Sequence, residues 1–228
     1  MSQLMPSRIK IIFFDAAGTL FHLPRGVGLH YSEVAARHGV NLTEAALGRA
    51  FGQAWKAMPP RESTEGPRPD DDRGWWRALV EQVLDACQVA PGKMNREAFF
   101  DELYAEFTLP GVWQLFPEVP KVLAILGARY RLGIISNFDG RLRAILTHLG
   151  LERSFDPLII SSEAGVDKPN ARIFAHALAA AGVEAEEALH VGDDPSRDWE
   201  GARAAGLQTY ELDRPRNSLE DLVVALRE

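Results

Sequence analysis

Ile9-Lys10-Ile11-Ile12-Phe13-Phe14-Asp15-Ala16-Ala17-Gly18-Thr19-Leu20 is the stretch that decides the fold. An apolar run stops abruptly at a carboxylate, followed by two small residues, a glycine and a threonine. Consecutive apolar residues bounded by a glycine-containing turn suit a strand buried on both faces, as in a parallel sheet. Such a strand carries Asp15 at its C-terminal end, where open α/β sheets place their ligands. Burying an unpaired carboxylate is costly, so Asp15 should face a cation or a substrate.

The pattern further along the chain supports that strand. Short apolar strands are expected at 132–135, 157–160, 188–191 and 207–212, alternating with helices at 119–128, 142–149, 171–181, 195–205 and 219–226. Strands alternating with helices of this length predict a Rossmann-like, doubly wound parallel sheet. Between the first strand and this series, residues 22–113 read as helical, with helices expected at 31–38, from 43 to 58, 75–89 and 96–107. The predicted organisation is an α/β core of residues 1–21 and 114–228 carrying an inserted helical cap of residues 22–113. Residues 61–74 read as a polar, Pro/Gly-punctuated and mobile loop, and Asp70, Asp71 and Asp72 as a solvated helix start.

Composition narrows the function classes. The chain has 228 residues, 46% hydrophobic and 25% charged, enough apolar material for a sizeable core. A net charge of −7, mixed along the sequence, argues against nucleic-acid binding. The single cysteine, Cys87, reads as a core thiol and fits a reducing cytoplasm. Asp15 interrupts the longest early apolar run, and the first ten residues lack a signal peptide's hydrophobic region, so neither a membrane span nor export is expected.

Three further polar groups close predicted strands or the loops after them: Ser136-Asn137, Lys168-Pro169, and Gly192-Asp193-Asp194 running on to Asp198. Right-handed crossovers bring such ends to one sheet edge. The chemistry open to that set is narrow. Asp15 can act as a nucleophile. Its second oxygen, Asp193 and a backbone carbonyl offer hard oxygen ligands for Mg2+. Gly18, Ser136 and Asn137 can donate to phosphoryl oxygens, while Lys168 neutralises the nucleophile and the transferring group. Asp198 can hold a metal-bound water or orient Lys168.

These four segments resemble the four motifs of the haloacid dehalogenase (HAD) superfamily, in order and over nearly the whole chain, including a helical cap after the first motif. The run Ser136-Asn137-Phe138-Asp139-Gly140-Arg141-Leu142 is most similar to the REG-2-like or HDHD3-like hydrolases. The resemblance implies that Asp15 is the nucleophile and that Asp15, the carbonyl of Ala17 and Asp193 bind Mg2+. It further implies that Ser136 and Lys168 hold the phosphoryl group of a small phosphorylated substrate.

One position departs from the pattern. HAD phosphatases carry a second Asp two residues after the nucleophile, where this chain has Ala17. In the family that Asp protonates the leaving group and then activates water, help worth about 10²–10⁴-fold. The expectation is therefore a Mg2+-dependent phosphatase of low intrinsic rate. The same gap leaves open a dehalogenase- or phosphonatase-type hydrolase, or a catalytically degenerate binding or regulatory protein. Arg25 and Trp75 are the cap residues expected to face substrate.

Overall fold

The computed structural model describes residues 4–227. Five parallel strands form one sheet: β1 (Ile11–Phe14), β4 (Arg131–Ser136), β5 (Leu158–Ile160), β6 (Ala188–Gly192) and β7 (Gln208–Glu211). A two-stranded antiparallel ribbon joins β2 (Phe21–His22) to β3 (Gln114–Leu115). The sheet order is β5-β4-β1-β6-β7, so β1 is central. It pairs with β4 on one side and β6 on the other. All four residues of β1 are buried, which explains why its sequence is a continuous apolar run rather than an alternating one. The chain builds β4 and β5 on one side of β1, then reverses to lay down β6 and β7 on the other. That reversal makes the C-terminal end of β1 a topological switch point, the crevice where such sheets bind ligands.

The chain divides into two compact units. The first runs to His22, takes in Glu62–Arg68, and resumes from Gln114; the second comprises Leu23–Arg61 and Pro69–Trp113.

The second unit is built on α1 (Gly26–Arg37), α2 (Glu44–Ala57), α3 (Arg73–Ala86) and α4 (Arg96–Glu106). Its core includes Tyr31, Leu47, Leu79, Val83, Phe99 and Phe100. Thr43 and Asn95 start α2 and α4 by accepting from the amides of Ala46 and Ala98, the expected capping chemistry. The Asp triplet is a solvated helix start only in part: exposed Asp70 accepts the Gly74 amide at 2.8 Å, whereas Asp72 is buried, adopts φ +62° and pairs with Arg61 at 3.2 Å. Arg61 supplies the positive charge that the dipole argument had assigned to the helix end.

The first unit adds α5 (Val119–Gly127), α6 (Arg141–His148), α7 (Ser161–Ala164), α8 (Ala171–Ala181), α9 (Gly201–Ala204) and α10 (Leu219–Ala225). One face of the sheet packs Ile11, Phe13 and Ile135 against Ile173, Phe174 and Ala177 of α8. The helix expected over 195–205 opens instead as a π-turn, Pro195–Glu200, before α9.

Glu62–Arg68 departs from the predicted mobile loop and from the expected cap boundaries. It forms a strap over the loop that ends at Lys168. Thr64 donates its amide to Gly165 O at 2.8 Å, and Arg68 donates its amide to Ser162 O at 2.7 Å. The buried Arg68 guanidinium donates to Asp167 at 2.9 Å and to Glu62 O at 3.0 Å. Arg172 of α8 donates to Thr64 O at 2.8 Å. The approach is so close that a Cβ at Gly165 would lie 2.1 Å from Gly66 O. Backbone pairing and a buried ion pair explain why this polar stretch is ordered against the core despite its apolar-poor sequence.

Candidate active site

Asp15 leaves the end of β1 with its amide donated to Val191 O at 2.8 Å. The chain then folds back sharply, Gly18 N–H donating to Phe21 O and Leu20 N–H to Ala16 O, both at 2.8 Å. Gly18 sits at φ +95°, and a Cβ there would lie 2.5 Å from an Asp193 oxygen. Only glycine satisfies both the backbone conformation and that approach. Arg214 braces this turn from the C-terminal part of the chain. It donates to Gly18 O at 3.1 Å, Thr19 O at 2.5 Å and Glu118 at 2.6 Å, and stacks 3.3 Å above Phe116.

Four side chains meet around the Asp15 carboxylate. Ser136 Oγ, at the end of β4, donates to Asp15 Oδ1 at 3.2 Å, and Lys168 Nζ donates to the same oxygen at 2.7 Å. Lys168 Nζ also donates to Asp198 Oδ1 at 2.6 Å. Asp193, after β6, accepts from Thr19 Oγ1 at 3.2 Å. The carboxylates of Asp15, Asp193 and Asp198 offer oxygens within 4.8 Å of one another. The sequence-predicted set of Asp15, Gly18, Ser136, Lys168, Asp193 and Asp198 therefore lies together at the switch point. Of the two roles open to Asp198, the structure shows the contact with Lys168.

Asn137, expected to donate to phosphoryl oxygens, also contacts the backbone of Lys168. Its carboxamide accepts from Lys168 N at 2.7 Å and donates to Lys168 O at 2.8 Å. Clamping both backbone groups of one residue takes one N–H and one lone pair of the carboxamide, so Asn137 fixes where the lysine starts. Arg25 and Trp75 belong to the second unit and find side-chain partners within it. Arg25 is exposed and pairs with Glu33 at 2.8 Å. Trp75 donates to Pro59 O at 2.9 Å, and the Arg61 guanidinium lies 4.0 Å over its ring.

Electrostatics follow from burial and crowding. Burial pushes the Asp15 carboxyl up to about 6, and Asp198 and Asp193 add to that rise against the pull of Lys168. Asp193 is raised in the same way, by burial and by Asp198. Burial would raise Asp198 too, but Lys168 and His190 hold it well below the usual carboxylate range. Lys168 stays charged because Asp15 and Asp198 outweigh its own desolvation.

The donor set fits a hard divalent cation. Three carboxylates share a site in which Lys168 bonds to two of them, leaving excess negative charge beside the Gly18 turn. Asp15, Asp193 and the carbonyl of Ala17 are the groups that would hold it.

His190, Arg214 and the strap went unread in the sequence. His190 sits inside β6, and its Nε2 lies 2.9 Å from Asp198 Oδ1. The available signal was a histidine in an otherwise apolar strand immediately before Gly192-Asp193.

This combination of sheet, switch point and converging acidic and basic groups defines a HAD-type hydrolase. A family model for "haloacid dehalogenase-like hydrolase" matches residues 9–206, and the chain belongs to that family. Among curated relatives, haloacid dehalogenase-like hydrolase domain-containing protein 3 of Bos taurus is 36% identical over 217 residues, covering 89% of this chain and 81% of its own. The rhythmically expressed gene 2 protein of Drosophila melanogaster is 28% identical over 213 residues, covering 88% and 81%. Among solved structures, a defluorinating L-2-haloacid dehalogenase superposes with a TM-score of 0.78 at 19% identity, covering 96% of each chain. A HAD hydrolase of Bacillus subtilis, solved bound to magnesium, gives 0.76 at 18% identity, covering 97% of this chain and 100% of its own. Those two likenesses concern the fold. Among the described residues, no helix is long and apolar enough to cross a membrane.

Proposed function

We propose that the protein is a Mg2+-dependent phosphatase that works through a phosphorylated Asp15, at a low rate with ordinary alkyl phosphates. The observation that carries this reading is the joint placement of Lys168 and Ser136 on Asp15, with Asp193 packed against the adjoining glycine turn. An Asp15 oxygen forms the new bond to phosphorus as the bond to the leaving oxygen breaks. Lys168 and Ser136 balance charge on the nucleophile and the phosphoryl oxygens. Water then adds to phosphorus as the bond from phosphorus to the Asp15 oxygen breaks, giving its proton to solvent, releasing phosphate and regenerating the carboxylate. Mg2+, which Asp15, Asp193 and the Ala17 carbonyl would hold, would neutralise charge on the phosphoryl group and favour the ionised form of Asp15 against the cost of its burial. Asn137 fixes the backbone of Lys168, and Asp198 holds its ammonium from the far side.

Ala17 leaves the departing oxygen without the usual proton donor, so leaving-group acidity should govern the rate. An activated aryl phosphate needs no such proton. Its hydrolysis by wild type with Mg2+, and loss of that hydrolysis in Asp15→Asn, is the expected result. No hydrolysis of an aryl phosphate by the Mg2+-loaded wild type would count against the enzyme and favour a binding or regulatory role, the reading that Ala17 alone supports.

A further inference from the structure

We propose that His190 is a positioning residue for Lys168, acting through Asp198 as a neutral imidazole that donates its Nε2 proton. The inference deepens the phosphatase reading and rests on it for its kinetic part alone.

Every residue of β6 is buried, and His190 has no exposed surface. Its ring packs edge-on against Phe174, with centroids 5.6 Å apart. Nδ1 is buried without a hydrogen-bond partner among the described residues. An unmet polar atom in that setting is destabilising, a cost that an aliphatic side chain like those of its neighbours Leu189 and Val191 avoids. A strand that tolerates this loss should be getting something from the other ring nitrogen.

That nitrogen, Nε2, lies 2.9 Å from Asp198 Oδ1, the same oxygen that accepts from Lys168 Nζ at 2.6 Å. The remaining Asp198 oxygen accepts the Asp194 amide at 3.0 Å. Asp198 is thus held at three points, and Lys168 hangs between it and Asp15. Removing the imidazole proton leaves Oδ1 to the lysine alone and frees the carboxylate to rotate about its remaining amide contact. The ammonium would then drift from Asp15 toward Asp198. The tautomer follows from geometry: the alternative would set the bare Nε2 lone pair against a carboxylate oxygen. A doubly protonated ring would bury a second unpaired N–H beside a charged lysine. His190 touches neither nucleophile nor substrate, so its influence passes entirely through Asp198.

The experiment compares His190→Leu, which removes the donor, with His190→Gln, which presents an N–H at the ε position. With Mg2+ and an aryl phosphate, His190→Leu should lower kcat by about 10–100-fold with KM changed far less, as for other residues that orient a reacting group from behind. His190→Gln should recover most of that loss. Urea denaturation should show both variants unfolding in one cooperative transition, so that a loss of kcat is not a loss of fold. Nitrogen-15 NMR of wild type should show His190 with Nε2 protonated and Nδ1 bare, assigned by loss of the signal in His190→Gln. Equal activity of His190→Leu and wild type, equal impairment of both variants, or a proton on Nδ1 would overturn the proposal. A wild type without phosphatase activity would refute the phosphatase reading instead. The tautomer, together with inorganic phosphate affinity measured by calorimetry on the Mg2+-loaded variants, would still decide the role of His190.

Discussion

Replacing Asp15 by asparagine should make the metal-free protein more stable at neutral pH, although it removes the proposed nucleophile. Burial raises the Asp15 carboxyl from 3.8 to about 6. Between those values the unfolded chain has released the proton while the native protein keeps it. Unfolding in that window releases protons, so stability falls as pH rises and levels off above about 6. The whole loss from this group amounts to about 3 kcal/mol. Asparagine cannot ionise and escapes it; the pull of Lys168 is already contained in the raised value, so the gain at pH 7.5 is of the same order, up to about 3 kcal/mol. For a chain of this size that corresponds to about 2–4 °C in Tm per kcal/mol. Urea titrations in EDTA from pH 5 to 7.5 measure it directly. The two proteins should be most alike near pH 5 and diverge as pH rises. Mg2+ should then stabilise wild type more than the variant. Parallel pH profiles, or a less stable Asp15→Asn at pH 7.5, would refute the claim that burial strains this carboxylate.

Restoring the missing carboxylate with Ala17→Asp should raise turnover of alkyl phosphates by about 10²–10⁴-fold, read as kcat with Mg2+; an unchanged rate would remove proton donation from the explanation. Gly18→Ala forces a side chain into Asp193 at φ +95°, and calorimetry should show Mg2+ affinity lost at a stability cost of about 1–3 kcal/mol. Asn137→Ala removes both bonds to the Lys168 backbone and should lower kcat more than KM while costing about 1–3 kcal/mol in urea denaturation. Arg68→Ala leaves Asp167 without its buried cation, so limited proteolysis should newly cut within residues 62–68.

The parts of the fold that could be read from the sequence are those in which neighbouring residues carry the signal. A four-residue apolar strand ending at Asp15, and later strands ending at Ser136 and Gly192, announce themselves through runs of buried side chains. The β2–β3 ribbon did not, because two residues per strand leave no periodicity. Asn137 was legible as part of the site but its grip on Lys168 was not, since only three-dimensional pairing shows its carboxamide turned onto that backbone. Arg214 reaches the Gly18 turn from nearly two hundred residues away, and nothing in its local sequence marks it. His190 was hidden by the strand's hydrophobicity, which makes a buried histidine look like filler.

The strap also bears on modularity. Because Glu62–Arg68 belongs with the core, the helical insert is not a cassette that can be excised at two cuts. A chimera that replaced everything from residue 23 to 113 would strip the cover from Gly165 and Asp167, leaving donors and acceptors of the lysine-bearing loop bare. Exchange of helices between relatives should succeed only where those seven residues travel with the recipient scaffold.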